Sequence, residues 1–266
     1  MEAFLAFHTT HPAQEATIDG VTWDVIIAGE GDETLLFLPD TYGVPDMLWR
    51  HIAYFAQRGR VVAPAYPPLR RMDDLVDGLV GLLRLVGVER AHLIGDSYGG
   101  FVAQSFARRH PDMTSSLVLS HTLPPDSGSG DLVRAALMWM QYIPMFLLRG
   151  MIDRQLRQLM PPRTEETALA HAIFSEAIRS RLTKEGVLAG YWRLVDFNTA
   201  EDAEDWQGPV QVMLSEDDPS IPLSAREALE AVYPQAETHI FERTGHAAAL
   251  LKPDEYRTVI ERFIDR

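Results

Sequence analysis

The chain has 266 residues, no cysteine, 46% hydrophobic and 23% charged residues, and a formal net charge of −14. Without cysteine, disulfides and thiolate metal sites are excluded and the cytoplasm is the default compartment. The acidity argues against a nucleic-acid partner, whose affinity rests on clustered Lys and Arg.

The length suits one α/β domain carrying an insertion. The start, MEAFLAFHTTHP, has Glu2, lacks a basic n-region and so does not read as a secretory signal. No window has the roughly 18 uninterrupted apolar residues of a spanning helix, so no integral membrane association is expected.

Strand and helix signals then alternate. TWDVIIAG reads as a half-buried strand and TLLFLPD (34–40) as a short buried one. PDMLWRHIAYFAQRG places Pro45 at a helix start and Gly59 at its end. RVVAPAYP is a buried strand, MDDLVDGLVGLLRLVGV a helix with acids in its first turn, and RAHLIGDS, YGGFVAQSFARRHP and SSLVLSHT continue as strand, helix and strand. Such alternation implies a mostly parallel sheet flanked by helices, with right-handed crossovers.

From 124 to 206 the pattern breaks. Two long helical stretches follow the flexible PPDSGSG with no strand between them, which predicts a helical cap inserted between core segments 1–123 and 207–266. The stretch ALMWMQYIPMFLLRGM within it is expected to form the buried underside of that cap, a membrane-touching lid being the alternative. PVQVMLSEDD, PLSAREALEAVYP, AETHIFERTG and KPDEYRTVIERFIDR then resume strand, helix, strand, helix.

Gly95-Asp96-Ser97-Tyr98-Gly99 fits G-x-S-x-G and lies between a predicted strand and a predicted helix. A bend that tight needs small neighbours and exposes a hydroxyl beside a helix N-terminus. A glycine-rich turn that happens to contain serine would look the same in isolation. A nucleophilic serine also needs a base and an orienting acid, and SEDDPSIP and TGHAAAL follow in the order Ser, Asp, His.

On these motifs the chain resembles the α/β-hydrolase superfamily. The family pattern G-x-x-D-x-x-x-P matches SEDDPSIP with Ser215 replacing glycine, which implies Asp218 as the acid, with Asp217 the alternative, and His246 as the base. It implies an oxyanion hole from the Tyr98 amide and a second amide after the first parallel strand. There the usual His-Gly is replaced by Pro39-Asp40, so Thr41 is assigned, with Tyr42 in reserve. Asp40 should point away from the hole or bond its own turn. FLPDTYGVPDMLWRHI and YIPMFLL are similar to maspardin-like members, some of which bind rather than hydrolyse. GDSYGG is similar to the GDSAGG of hormone-sensitive-lipase-like esterases, whose HGGG loop is absent here.

Tyr42, His121 and Trp139 are the expected pocket-lining residues. No H-x-x-x-H, H-E-x-x-H or G-x-G-x-x-G occurs, so no metal and no cofactor is expected. The expected activity is that of a carboxylesterase on small to medium apolar esters, through an acyl-enzyme on Ser97. C–C bond or lactone hydrolysis and a non-catalytic binding role are the alternatives, and a homodimer stays open.

Overall fold

A computed structural model describes residues 1–125, 127–161, 164–199, 206–221 and 224–266. Eight strands form one sheet: β1 (Gln14–Ile18), β2 (Val21–Ala28), β3 (Thr34–Leu38), β4 (Arg60–Pro64), β5 (Ala91–Asp96), β6 (Thr114–Ser120), β7 (Val210–Ser215) and β8 (Glu237–Phe241). Their order is β1-β2-β4-β3-β5-β6-β7-β8. β1 pairs antiparallel with β2 and β2 with β4, and every other pairing is parallel. β3 and β7 are buried at every position, as strands covered on both faces must be, which is why they read as unbroken apolar runs. β1 gave no such signal: its residues QEATI bury only Ile18 fully, and it is held as an edge strand by the hairpin to β2.

The described helices are α1 (Glu2–Thr10), α2 (Trp49–Phe55), α3 (Met72–Leu85), α4 (Tyr98–Arg109), α5 (Ser127–Met140), α6 (Met145–Leu159), α7 (Glu165–Ser180), α8 (Lys184–Thr199), α9 (Ser224–Val232), α10 (Ala248–Leu251) and α11 (Pro253–Ile264). The sheet divides the core. On one face Leu75, Leu79 and Leu82 of α3, Val102 and Phe106 of α4, and Leu229 and Tyr233 pack together. On the other, Ile52 and Phe55 of α2 meet Tyr256, Ile260 and Phe263 of α11.

One element is added and two local readings change. The MEAFLAFHTTHP start folds as α1, anchored by Phe7 against Trp49 and the second core cluster. The helix expected from Pro45 opens as a 3-10 turn, Pro45–Leu48, and its α-helical part ends at Phe55 rather than Gly59. PPDSGSG is partly helical, since α5 begins at Ser127.

Helices α5 to α8 lie between β6 and β7. α7 starts on a capping box, with the Thr167 amide donating to Thr164 Oγ1 and the Thr164 amide to Thr167 Oγ1. Ile152, Phe174, Ile178, Leu182 and Val187 form an apolar cluster there, and Tyr42 packs against it from the turn after β3. The stretch ALMWMQYIPMFLLRGM is not a buried underside. Leu137 and Leu148 face inward, whereas Met138, Trp139, Tyr142, Phe146, Leu147 and Met151 are exposed. Nearly every residue in this stretch is apolar, so its composition carries no record of which helical face is covered.

Candidate active site

The site begins where β5 gives way to α4. Ser97 sits at φ 53°, ψ −116°, a strained conformation for a residue with a side chain, costing about 1–3 kcal/mol. The surroundings hold it: the Ser97 amide donates to Ser120 O at 2.8 Å, and the Gly100 amide to Ser97 O at 3.0 Å. Two glycines make the bend possible by close approach. A Cβ on Gly99 would stand 2.0 Å from the Leu38 carbonyl oxygen at the end of β3, and one on Gly95 2.5 Å from the Gly99 carbonyl oxygen.

Two loops at the same sheet edge supply the partners. Asp218 follows β7 and His246 follows β8. His246 Nε2 lies 3.0 Å from Ser97 Oγ, and His246 Nδ1 lies 2.7 Å from Asp218 Oδ2. With the Nδ1 proton donated to Asp218, Nε2 is free to accept from the serine hydroxyl. The other Asp218 oxygen, Oδ1, accepts from the amides of Ser220 (2.8 Å) and Ile221 (3.1 Å), so the acid is fixed before it meets the imidazole. Asp217, the alternative acid, faces elsewhere: its Oδ1 accepts from the Gly245 amide at 2.8 Å and ties down the loop that carries His246.

The electrostatics follow from this geometry. Burial works against the His246 imidazolium, but the hydrogen bond and charge of Asp218, with weaker help from Asp96 and Asp40, outweigh it and raise its pKa above the ordinary histidine value. Burial likewise works against ionised Asp218, whose side chain is 1% exposed, yet His246 and the two amides bring its pKa below the usual range. The row can therefore move a proton from serine to imidazole and stabilise the resulting cation.

Facing Ser97 is the turn after β3. Leu38 pairs with Gly95, so Asp40 and Ser97 each stand two residues beyond a matched pair on adjacent parallel strands. The Tyr98 amide heads α4, where no intrahelical acceptor exists. The Thr41 amide has no hydrogen-bond partner among the described residues, whereas the Tyr42 amide is occupied, donating to Asp40 Oδ1 at 3.0 Å. That bond turns the Asp40 carboxyl onto its own backbone. Burial, only partly offset by the Tyr42 amide, and the nearby Asp96 charge push the Asp40 pKa up to about 7.

Of the expected pocket residues, Tyr42 is half-buried and meets Phe174 edge-on at 5.2 Å. His121 and Trp139 do not line an open pocket. Trp139 is 76% exposed on the outer side of α5. His121 is 1% exposed and lies behind the site, its ring 5.5 Å from that of His246. It belongs to a hydrogen-bonded chain that composition could not reveal. Ser120 Oγ donates to Asp96 Oδ1 at 2.6 Å and lies 2.9 Å from His121 Nδ1, while His121 Nε2 lies 2.8 Å from Ser215 Oγ, itself 2.5 Å from Thr244 Oγ1. Burial lowers the His121 pKa, so it serves as a neutral link between the strand ends that carry Ser97 and His246.

Arg193 was missed in the sequence because arginines on helices normally face water. Here it is fully buried. Its Nε donates to the Tyr98 hydroxyl at 2.8 Å and its Nη1 to the carbonyls of Leu69 (2.6 Å) and Pro67 (3.3 Å), while the Tyr98 hydroxyl donates to Gly190 O at 3.1 Å. α8 is thereby fastened to the residue directly after Ser97. Among the described residues, no group of three or more His, Asp or Glu side chains is placed to hold a metal ion.

A serine, an imidazole and a carboxylate in hydrogen-bonded sequence at the carboxyl edge of a mostly parallel sheet define a hydrolase of the α/β class. The Alpha/beta hydrolase family model matches residues 35–259, and the chain belongs to that family. It is similar to the 2-hydroxy-6-oxononadienedioate/2-hydroxy-6-oxononatrienedioate hydrolase of Paraburkholderia phymatum, with 28% identity covering 89% of this chain and 88% of that one. Among solved structures, a hydrolase from Pseudomonas aeruginosa PA01 superposes with a TM-score of 0.75 at 20% identity, covering 96% of this chain and 99% of that one. The enol-lactonase from Burkholderia xenovorans LB400 gives a TM-score of 0.75 at 16% identity, covering 95% and all of that chain.

Proposed function

We propose that the chain is a cofactor-independent serine hydrolase that cleaves small to medium apolar carboxylic esters through an acyl-enzyme on Ser97. The observation that carries this reading is the row from Ser97 Oγ through His246 to Asp218, at 3.0 and 2.7 Å. Ser97 Oγ attacks the ester carbonyl while His246 Nε2 takes its proton, and Asp218 holds the tautomer and stabilises the imidazolium. The amides of Tyr98 and Thr41 receive the oxyanion. His246 then protonates the departing alcohol, and the same imidazole activates water to release the acid and restore Ser97. Residues 124–206 act as the cap, α6 to α8 roofing the site through the cluster that includes Tyr42.

The charge around the site favours neutral substrates. Asp40, Asp96 and Asp218 all act on His246, and the buried guanidinium of Arg193 is committed to Tyr98 and two carbonyls. A second reading, hydrolysis of a C–C bond in a ring-cleavage diketone, draws support from the Paraburkholderia relative, whose named substrates are dicarboxylates. Turnover of p-nitrophenyl butyrate, aryl esters, lactones and a ring-cleavage diketone by the wild type and Ser97→Ala separates the readings. Ester turnover lost in the variant supports the proposal. Diketone turnover alone favours the second reading, and a folded wild type inert on the whole panel favours a binding role.

A further inference from the structure

The outer face of α5 and α6 presents Met138, Trp139, Tyr142, Phe146, Leu147 and Met151, with exposures between 48% for Leu147 and 76% for Trp139. Large apolar side chains are seldom left together in water without an interaction to serve. The charge pattern of the same stretch is equally unusual. Asp and Glu make up 38 of the 266 residues, yet none falls between 132 and 152, where the only charged side chains are Arg134 and Arg149. Arg154 continues the exposed face of α6 seven residues after Leu147 and three after Met151. Lys184 donates to the carbonyl of Gln141 at the α5–α6 turn, adding a cation beside Tyr142. Asp153 is engaged by Arg157 and Glu176 by Arg179, and Glu185 is exposed beside Lys184.

We propose that this face docks onto the surface of an anionic lipid bilayer, with the Trp139, Tyr142 and Phe146 rings seated at headgroup level and Arg154 and Lys184 meeting lipid phosphates, Arg149 being turned inward onto the carbonyls of Arg179 and Leu182. Trp and Tyr rings suit that boundary, and basic residues flanking an apolar face add attraction to anionic lipids. A second copy of the chain fits less well, because self-pairing about a two-fold axis places the face that carries Arg154 and Lys184 against itself, setting like charges together. Docking is superficial rather than spanning: among the described residues no helix is long and apolar enough to cross a membrane. The opposite face of α6, through Met145, Ile152 and Leu156, packs with Tyr42 at the site, so the docked face and the site share one helix. Resting on the ester-hydrolase reading, this arrangement assigns the substrates to amphiphilic esters that partition into lipid.

The test is co-sedimentation of the full chain with vesicles of phosphatidylcholine, with and without phosphatidylglycerol, together with sedimentation velocity in free solution. The wild type is expected to pellet with phosphatidylglycerol vesicles, less so as salt is added, and its tryptophan emission to shift to the blue. Trp139→Ser/Phe146→Ser is expected to lose roughly tenfold or more in vesicle affinity while keeping its turnover of soluble p-nitrophenyl butyrate. Trp139→Phe should abolish most of the emission shift without abolishing binding. Ser97→Ala should bind vesicles like the wild type, which separates failure of the docking proposal from failure of the hydrolase reading. Absence of binding to anionic vesicles, binding unchanged in the double variant, or a dimer that the double variant converts to monomer would each overturn the proposal.

Discussion

Asp40→Asn isolates the one ionisable group that the turn after β3 sets beside the oxyanion amides. The Asp40 pKa of about 7 stands against an ordinary value of 3.8, so between these values the folded chain holds a proton that the unfolded chain has released. Stability therefore falls as pH rises from about 4 to about 7 and stays reduced above that. About three units at 1.36 kcal/mol each set a ceiling near 4 kcal/mol, of which solvent screening at a half-buried group leaves about 1–2 kcal/mol. Asn cannot ionise and keeps the oxygen that accepts from Tyr42, so it should be more stable than wild type at pH 8 and nearly equal at pH 4. Activity should move in parallel. At an effective dielectric of about 20, a carboxylate opposes a negative charge about 7 Å away by about 2 kcal/mol, which sets a ceiling of about thirtyfold in rate. The wild-type kcat/KM for p-nitrophenyl butyrate should rise as His246 deprotonates and then decline as Asp40 ionises, giving a narrow optimum. In Asp40→Asn the decline should vanish and the rising limb should move to lower pH, because one of the charges that raises the His246 pKa is gone. Urea unfolding at pH 4 and 8 and rate profiles from pH 5 to 9 measure both effects. Superimposable profiles and equal stability changes for the two proteins would refute the reasoning.

Asp218→Asn should lower kcat by roughly 10³- to 10⁴-fold with little change in KM, as steady-state ester kinetics would show, because the imidazole loses its tautomer and its counter-charge. Asp217→Asn should retain most activity, since the side chain still offers an oxygen to the Gly245 amide. Gly99→Ala drives a methyl to 2.0 Å from the Leu38 carbonyl oxygen, so circular dichroism melts and ester assays should show lower stability and loss of activity together. Arg193→Met leaves the Tyr98 hydroxyl without its guanidinium donor and the Leu69 carbonyl unpaired, while the Pro67 carbonyl keeps the Leu69 amide, a cost of about 1–3 kcal/mol readable in urea unfolding.

Much of this was legible because the relevant constraints are local. The glycines around Ser97 are required by contacts within five residues or with the adjacent strand end, so they leave a short motif in the chain. The adjacent aspartates 217 and 218 are separated only by the family pattern that the resemblance supplies, and the structure gives them different partners. Other features left no such trace. β1 is polar because it lies at an edge, and it is specified by its pairing with β2 rather than by burial. Arg193 owes its burial to carbonyls at 67 and 69 and a hydroxyl at 98, distant in sequence. The position of His121 at the close of β6, next to the expected insertion, suggests a pocket residue; its inward course depends on a positive φ of 47° and hydroxyls contributed by β6 and β7. The direction of Trp139 depended on which face of an almost wholly apolar helix met the rest of the fold.

Covalent capture at Ser97 tests the central claim most directly. After brief exposure to a p-nitrophenyl phosphonate ester, intact mass spectrometry and peptide mapping should find one adduct per chain, on Ser97, with labelling slowed severely in His246→Ala. An unlabelled, folded wild type, or an adduct on another residue formed equally fast without His246, would contradict the account.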